Sequence, residues 1–296
     1  MDRREFLKIT TMAGLGSMLP CGVQSLAAPP LPDMVIAQGP IPQAIVAAAV
    51  AAMGGMKRFI SKGDIVVVKP NIGWDRAPEF AANTNPFVVA TLVKLCLEAG
   101  AKKVKVFDHP VNDARRCYVQ SKIADAALNA GAEVSYADDW KFKEVTINGA
   151  SLKTWPLYTD VLEADKVINV PIAKTHGLTK LTLSLKNWMG VMGGRRSRIH
   201  RRIDENLVDV ARVIKPTLTV LDAVRILTNN GPQGGNLWDV KKLDTVVVST
   251  DQVAVDAFGA TLFGLQGSDL GCVTLADAAG LGKMDYTRLN VKRIKV

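Results

Sequence analysis

The chain has 296 residues, a formal net charge of +9 and 48% hydrophobic side chains. That length can bury a substantial core, in one large domain or in two intimately packed halves. The cationic balance favours acidic ligands, whereas aromatic residues at 6%, not interleaved with the cations, argue against nucleic acid as a partner.

The N-terminus, Asp2-Arg3-Arg4-Glu5-Phe6-Leu7-Lys8, sets an arginine pair ahead of a short apolar run from Ile9 to Leu19. It resembles a twin-arginine export signal over residues 1–27. Ser25-Leu26-Ala27 offers small residues for cleavage, and the mature chain would begin near Ala28. An uncleaved anchor is the alternative, but the run falls short of the roughly 20 residues a bilayer needs and is diluted by Thr10, Thr11, Gly14 and Gly16. Cys21 raises a lipoprotein reading, against which Pro20 stands directly before it. The expectation is a periplasmic or otherwise exported protein, with the export machinery as a partner and no membrane anchor after cleavage. Beyond the signal, Cys96, Cys117 and Cys272 are odd in number and widely spaced. No disulfide framework is implied, although one pair can form outside the cytoplasm. The lack of Cys-x-x-Cys argues against an iron–sulfur cluster or a thiolate zinc site, which leaves His, Asp or Glu for any metal.

Residues 28–60 read as an N-terminal segment with an alanine-rich helix, Ile45 to Ala52, fraying at Gly54-Gly55. Residues 61–296 follow as a single α/β domain. Its first strand is the β-branched run Ile65-Val66-Val67-Val68, covered on both faces. A helix opens at Pro86 with Asn85 as cap and stops at Ala99-Gly100, and Val104 to Phe107 is the next strand. A helix over Ile123 to Ala130 leads into Val134-Ser135-Tyr136, and Phe142 to Leu152 forms a hairpin turning at Asn148-Gly149. Lys166 to Val170 is a strand, Leu207 to Ile214 a helix, Leu218 to Leu221 and Thr245 to Ser249 strands, and Val253 to Leu262 a helix. The alternation predicts a mainly parallel sheet sandwiched by helices, an α/β fold, with two Rossmann-like halves as a variant.

Ligands of open parallel sheets bind beyond the carboxyl ends of the strands. Here those ends carry Lys69-Pro70-Asn71, Asp108-His109-Pro110, Pro171 to His176, Asp222, and Ser249-Thr250-Asp251. Lys69 after a buried strand must find an anion or reach solvent. Asp222, Asp251 and Asn85 are equally well read as helix caps or turn closers, and His109 as a satisfied loop histidine. The densest cluster runs from Asn169 through Lys174, Thr175, His176, Lys180, Lys186 and Asn187 to Gly193-Gly194-Arg195-Arg196 and His200. A glycine pair frees backbone N–H groups for an oxyanion and arginine adds a bidentate fork. The competing reading is a solvated basic loop. Gly231-Pro232-Gln233-Gly234-Gly235 lacks the P-loop and dinucleotide spacings, so it is a pocket wall, a lid or a flexible turn.

Together Val67-Val68-Lys69-Pro70-Asn71, Ala99-Gly100-Ala101-Lys102-Lys103-Val104, Ile168 to His176, Leu183-Ser184-Leu185-Lys186-Asn187 and Gly231-Pro232-x-Gly234 resemble the domain of unknown function 362 family. Members of that family often carry a ferredoxin-like cysteine module, which this chain lacks, so any chemistry belongs to the α/β domain. A fainter likeness is to lactate racemase, whose nickel-pincer nucleotide is held by a lysine linkage and a histidine. His109, His176, Lys186 and His200 follow in matching order, while Arg196 replaces the lysine of that family's Gly-Gly-x-Lys turn and leaves Lys186 as the substitute.

These readings combine into a protein that binds a small anionic substrate, or an anionic, metal or nucleotide-type cofactor. Lys69, Asn71, Lys174, Thr175, Asn187, Arg195 and Arg196 would bind the anion, and His176, His200 and Lys186 would carry isomerase- or racemase-like proton transfer. His200, His109 and Asp108 are the candidate metal ligands. The alternative is a non-catalytic protein that holds a cofactor or meets a redox partner during maturation.

Overall fold

The computed structural model describes residues 30–296, so the expected export signal lies outside the described residues. Leu31–Val296 forms one compact unit. The elements follow as β1 (Met34–Gln38), α1 (Pro42–Ala52), β2 (Ile65–Pro70), α2 (Pro86–Glu98), β3 (Lys103–Val106), α3 (Ala114–Gln120), α4 (Ile123–Asn129) and β4 (Glu133–Val134). Next come β5 (Phe142–Thr146), β6 (Thr154–Tyr158), α5 (Thr159–Glu163), β7 (Lys166–Val170), β8 (Ile172–His176), β9 (Lys180–Thr182) and α6 (Ser184–Asn187). The chain closes with α7 (Ile203–Val213), β10 (Leu218–Leu227), β11 (Val240–Ser249), α8 (Gln252–Thr261), α9 (Gly271–Ala278) and β12 (Val291–Lys295).

One mixed, mostly parallel sheet of ten strands runs in the order β12-β1-β11-β10-β7-β2-β3-β4, with β8 paired to β10 and β9. The expected α/β architecture is therefore present, built on a single sheet rather than two halves. Its β-branched strands serve both faces because side chains alternate. Val67 and Val247 join one core with Leu185, Leu207 and Val253, whereas Val66, Val68, Val246 and Val248 join the other with Ile45, Val88 and Leu92. Helices α1, α2 and α4 thus cover one face, and α6 to α9 the other.

Several expectations need correction. The division at residue 60 disappears, because β1 pairs antiparallel with β11 and parallel with β12 inside the main sheet. The hairpin turn at Asn148-Gly149 is present, with Asn148 at a φ of 52°, but its second strand is β6, beyond residue 152. The segment after β7 is a further hairpin, β8–β9, rather than a loop. Cys96, Cys117 and Cys272 are buried free thiols, with no disulfide pair among them. Among the described residues no helix is long and apolar enough to cross a membrane.

Candidate functional site

Lys69 sits at the end of β2 with no exposed surface. A charge there needs a partner, and the loop after β3 supplies one: Lys69 Nζ lies 2.8 Å from Asp108 Oδ1. The pair is held in a polar lattice centred on Asn187 at the end of α6. Its Oδ1 accepts from Lys69 Nζ (3.1 Å) and Asn71 Nδ2 (3.2 Å), while its Nδ2 donates to Asn169 Oδ1 (2.8 Å) and the Lys69 carbonyl (3.3 Å). Helix α6 is itself pinned by buried Asp256 of α8, which accepts from the backbone N–H groups of Ser184 (2.7 Å) and Leu185 (3.0 Å).

Beside this lattice opens a cavity of about 320 Å³, lined by all three histidines together with Lys174, Lys186 and Arg196. Asn71, Trp74, Thr182, Met189 and Pro232 complete much of the wall. Its volume lies at the low end of ligand pockets, suiting a molecule of metabolite size. Lys174 comes from β8, where register places it opposite Thr182 of β9. Its Nζ donates to Asn71 Oδ1 (3.0 Å) and the Ala82 carbonyl. Lys186 is 9% exposed, and its amine rests against the Met189 thioether with no carboxylate in contact. Thr182 is 4% exposed, and its hydroxyl has no hydrogen-bond partner.

Electrostatics follow from burying cations together. Burial, opposed in part by the Asp108 charge, lowers Lys174 to about 7, and burial with the nearby Arg196 lowers Lys186 to about 8. Burial also lowers Lys69, against the pull of Asp108. His176 falls to about 3 through burial and the charges of Lys186, Lys174 and His200. Its Nδ1 accepts from the backbone N–H groups of Leu178 (3.1 Å) and Thr179 (3.4 Å), so the ring proton sits on Nε2. His109 is lowered by burial and by Arg196; its Nδ1 donates to the Met192 carbonyl at 2.8 Å, leaving Nε2 as an acceptor. His200 is lowered by burial and Lys186, against backbone hydrogen bonds at Ser197 and Arg196.

A family model described as domain of unknown function 362 matches residues 66–261. The chain belongs to that family. It is 28% identical to the thylakoid-associated protein sll1697 of Synechocystis over 212 residues, which cover 69% of this chain and 64% of the length of that relative. Two solved structures are similar: a Thermotoga maritima protein (10% identity, TM-score 0.43, 80% of this chain and 59% of that one) and the lactate racemase apoprotein of Thermoanaerobacterium thermosaccharolyticum (11%, TM-score 0.45, 77% and 56%).

In this family member Lys69, Asn71, Asp108, His109, Lys174, His176, Lys186, Asn187, Arg196 and His200 meet in one region, where all but Lys69 line the cavity. Five anticipated roles change. Asn187 uses its whole amide on the lattice, so it orders Lys69 and Asn71 rather than binding an anion. Thr175 faces away from the cavity, its hydroxyl accepting from the Gly231 N–H at 3.2 Å, and Arg195 is exposed. The Gly193-Gly194 turn is no oxyanion nest, since the Gly193 N–H donates to the Pro156 carbonyl at 2.8 Å. His176 also departs from the proton-transfer role, because its acceptor nitrogen already holds backbone donors.

The candidate metal ligands His200, His109 and Asp108 do not form a three-ligand group. Among the described residues no three His, Cys, Asp or Glu side chains gather as ligands, and Asp108 is occupied by Lys69 and by the backbone N–H groups of Ile72 and His109. Nor do the residues fit a pincer-type cofactor at the glycine turn. Arg196 stands there, with its guanidinium donating to the carbonyls of His109 (2.7 Å) and Pro110. Asp222, Asp251 and Asn85 serve backbone N–H groups at helix starts and turns, the plainer of their two readings. Thr182, Trp74 and Asp256 were not anticipated. The first had a readable signal, since alternation across a turn at residues 177–179 faces residue 182 toward Lys174.

Proposed function

We propose that the protein binds a small organic anion in this cavity and moves a proton on it, as an isomerase-type enzyme does. The observation that supports the reading is a surplus of positive charge. Lys174, Lys186 and Arg196 face a cavity whose carboxylate, Asp108, is already paired with Lys69. The unpartnered Thr182 hydroxyl and the Nε2–H of His176 add donors for the same oxyanion. His109 Nε2 and His200 are the bases left for proton transfer. The Arg3-Arg4 start supports delivery by the twin-arginine route, which cell fractionation checks.

Calorimetric titration with lactate, malonate and phosphate tests the binding step. Wild-type protein should bind at least one of them, and Thr182→Val and Lys186→Met should each weaken that binding by about tenfold, the worth of one charge-assisted contact. Wild-type protein that takes up none of these anions at millimolar concentration would end the proposal. Exchange of the ligand's carbon-bound hydrogen with solvent deuterium then separates an enzyme from a carrier, which would bind without exchange.

A further inference from the structure

We propose that Lys186 is a nucleophile that condenses with the carbonyl of a small 2-oxo acid to form an imine. The inference rests on the anion-binding reading and deepens it by naming the substrate class.

Three lysines meet at this site, and their surroundings differ. Lys69 Nζ is held by Asp108, Asn187 and the Pro70 carbonyl. Lys174 Nζ is held by Asn71 and the Ala82 carbonyl and is 1% exposed. Lys186 lines the cavity with only the Met189 thioether against its amine, and sulfur is a weak acceptor. Nothing on the protein ties up this amine. Burial and the neighbouring Arg196 bring it to about 8, so a useful fraction carries a free lone pair near neutrality, the usual activation of a nucleophilic lysine.

The rest of the wall suits the other half of such a substrate. Thr182, Lys174 and the Nε2–H of His176 can hold a carboxylate, leaving an adjacent carbonyl for Lys186. The step balances without an oxidant or reductant. The amine lone pair attacks the carbonyl carbon and the C=O π pair moves to oxygen, which takes the proton the nitrogen gives up; a second proton, from solvent, then lets that hydroxyl leave as water while the remaining nitrogen lone pair closes C=N and leaves a protonated imine. His200, which lines the same cavity as Lys186, would carry the nitrogen's proton. The resulting iminium acidifies the neighbouring C–H, which connects the condensation to the proposed proton transfer.

Pyruvate and sodium borohydride with the full chain provide the test, read by peptide mass mapping. A reduced three-carbon adduct on the Lys186 peptide is expected, blocked by excess lactate, the same acid without the carbonyl, and missing in Lys186→Arg. An adduct confined to surface lysines and indifferent to lactate overturns the inference. So does the lack of any adduct in protein that binds lactate calorimetrically, an outcome that leaves the anion site standing. Failure of both adduct and lactate, malonate and phosphate binding removes the two readings together.

Discussion

A β-carbon at residue 190 would fall within the Asp108 carboxylate and against the Lys69 ammonium. The chain there passes so close to the ion pair that only hydrogen fits, and the Gly190 carbonyl accepts the His109 N–H at 3.0 Å. Replacing it forces either a backbone shift or separation of the pair. Overpacking costs about 1–3 kcal/mol, and parting a buried pair costs roughly 3–5 kcal/mol. Gly190→Ala should therefore lose about 3 kcal/mol in urea unfolding and bind anions more weakly, whereas a change within about 0.5 kcal/mol, the range of surface substitutions, would show that the pair is not needed. Lys69 was legible from sequence, because a lysine closing a buried strand requires an anion. Asp108 lay among the strand-end residues but gave no sign of being that anion, since residues 69 and 108 meet only through the parallel pairing of β2 with β3.

The elements that carry the site were less legible than its residues. Ile172-Ala173-Lys174-Thr175-His176 interrupts its apolar alternation with the two functional side chains, so β8 resembles a loop until β10 and β9 are seen beside it. Strand β12 reads as a charge cluster because Lys292, Arg293 and Lys295 occupy an edge strand, where charge discourages pairing with other chains. The β5–β6 hairpin was recognisable from its turn, but what fastens it was not. Asp209 of α7, 1% exposed, accepts from the backbone N–H groups of Ala150 (3.0 Å), Ser151 (2.7 Å) and Leu152 (2.8 Å). Gly149 passes too close to that carboxylate for any side chain. The same hairpin accepts the Gly193 N–H and donates the Trp155 indole N–H to the Gly193 carbonyl at 3.1 Å, so it supports the segment that carries Arg196 and His200. Asp209→Ala should lower stability by about 2–4 kcal/mol, since hydrogen bonds to a charged group are worth roughly 1.5–3 kcal/mol each and do not add fully. Hydrogen exchange should locate the loss in residues 147–153 and 193–200; uniform protection there would contradict the docking role.

For the whole molecule the buried lysines make binding and stability depend on pH together. An unfolded lysine holds its proton to about 10.4, whereas in the folded chain Lys174 releases it near 7 and Lys186 near 8. Between about 7 and 10.4 the unfolded chain thus binds more protons, and these two groups make the empty protein more stable as pH rises through that window. A bound anion reverses the balance, because it favours both ammonium groups and raises their proton affinity. Binding must then take up protons near neutrality and weaken as the amines discharge. Lactate or malonate, whichever the wild type binds, should show a dissociation constant at least tenfold lower at pH 6.5 than at pH 9, a difference of about 1.4 kcal/mol. Calorimetry at pH 7.5 in buffers of different ionisation enthalpy should report net proton uptake, and Lys186→Met should shrink both effects. A dissociation constant unchanged across that range, with no proton uptake, would mean that the anion is held by Arg196 and neutral donors alone, and that the buried amines serve the lattice rather than the ligand.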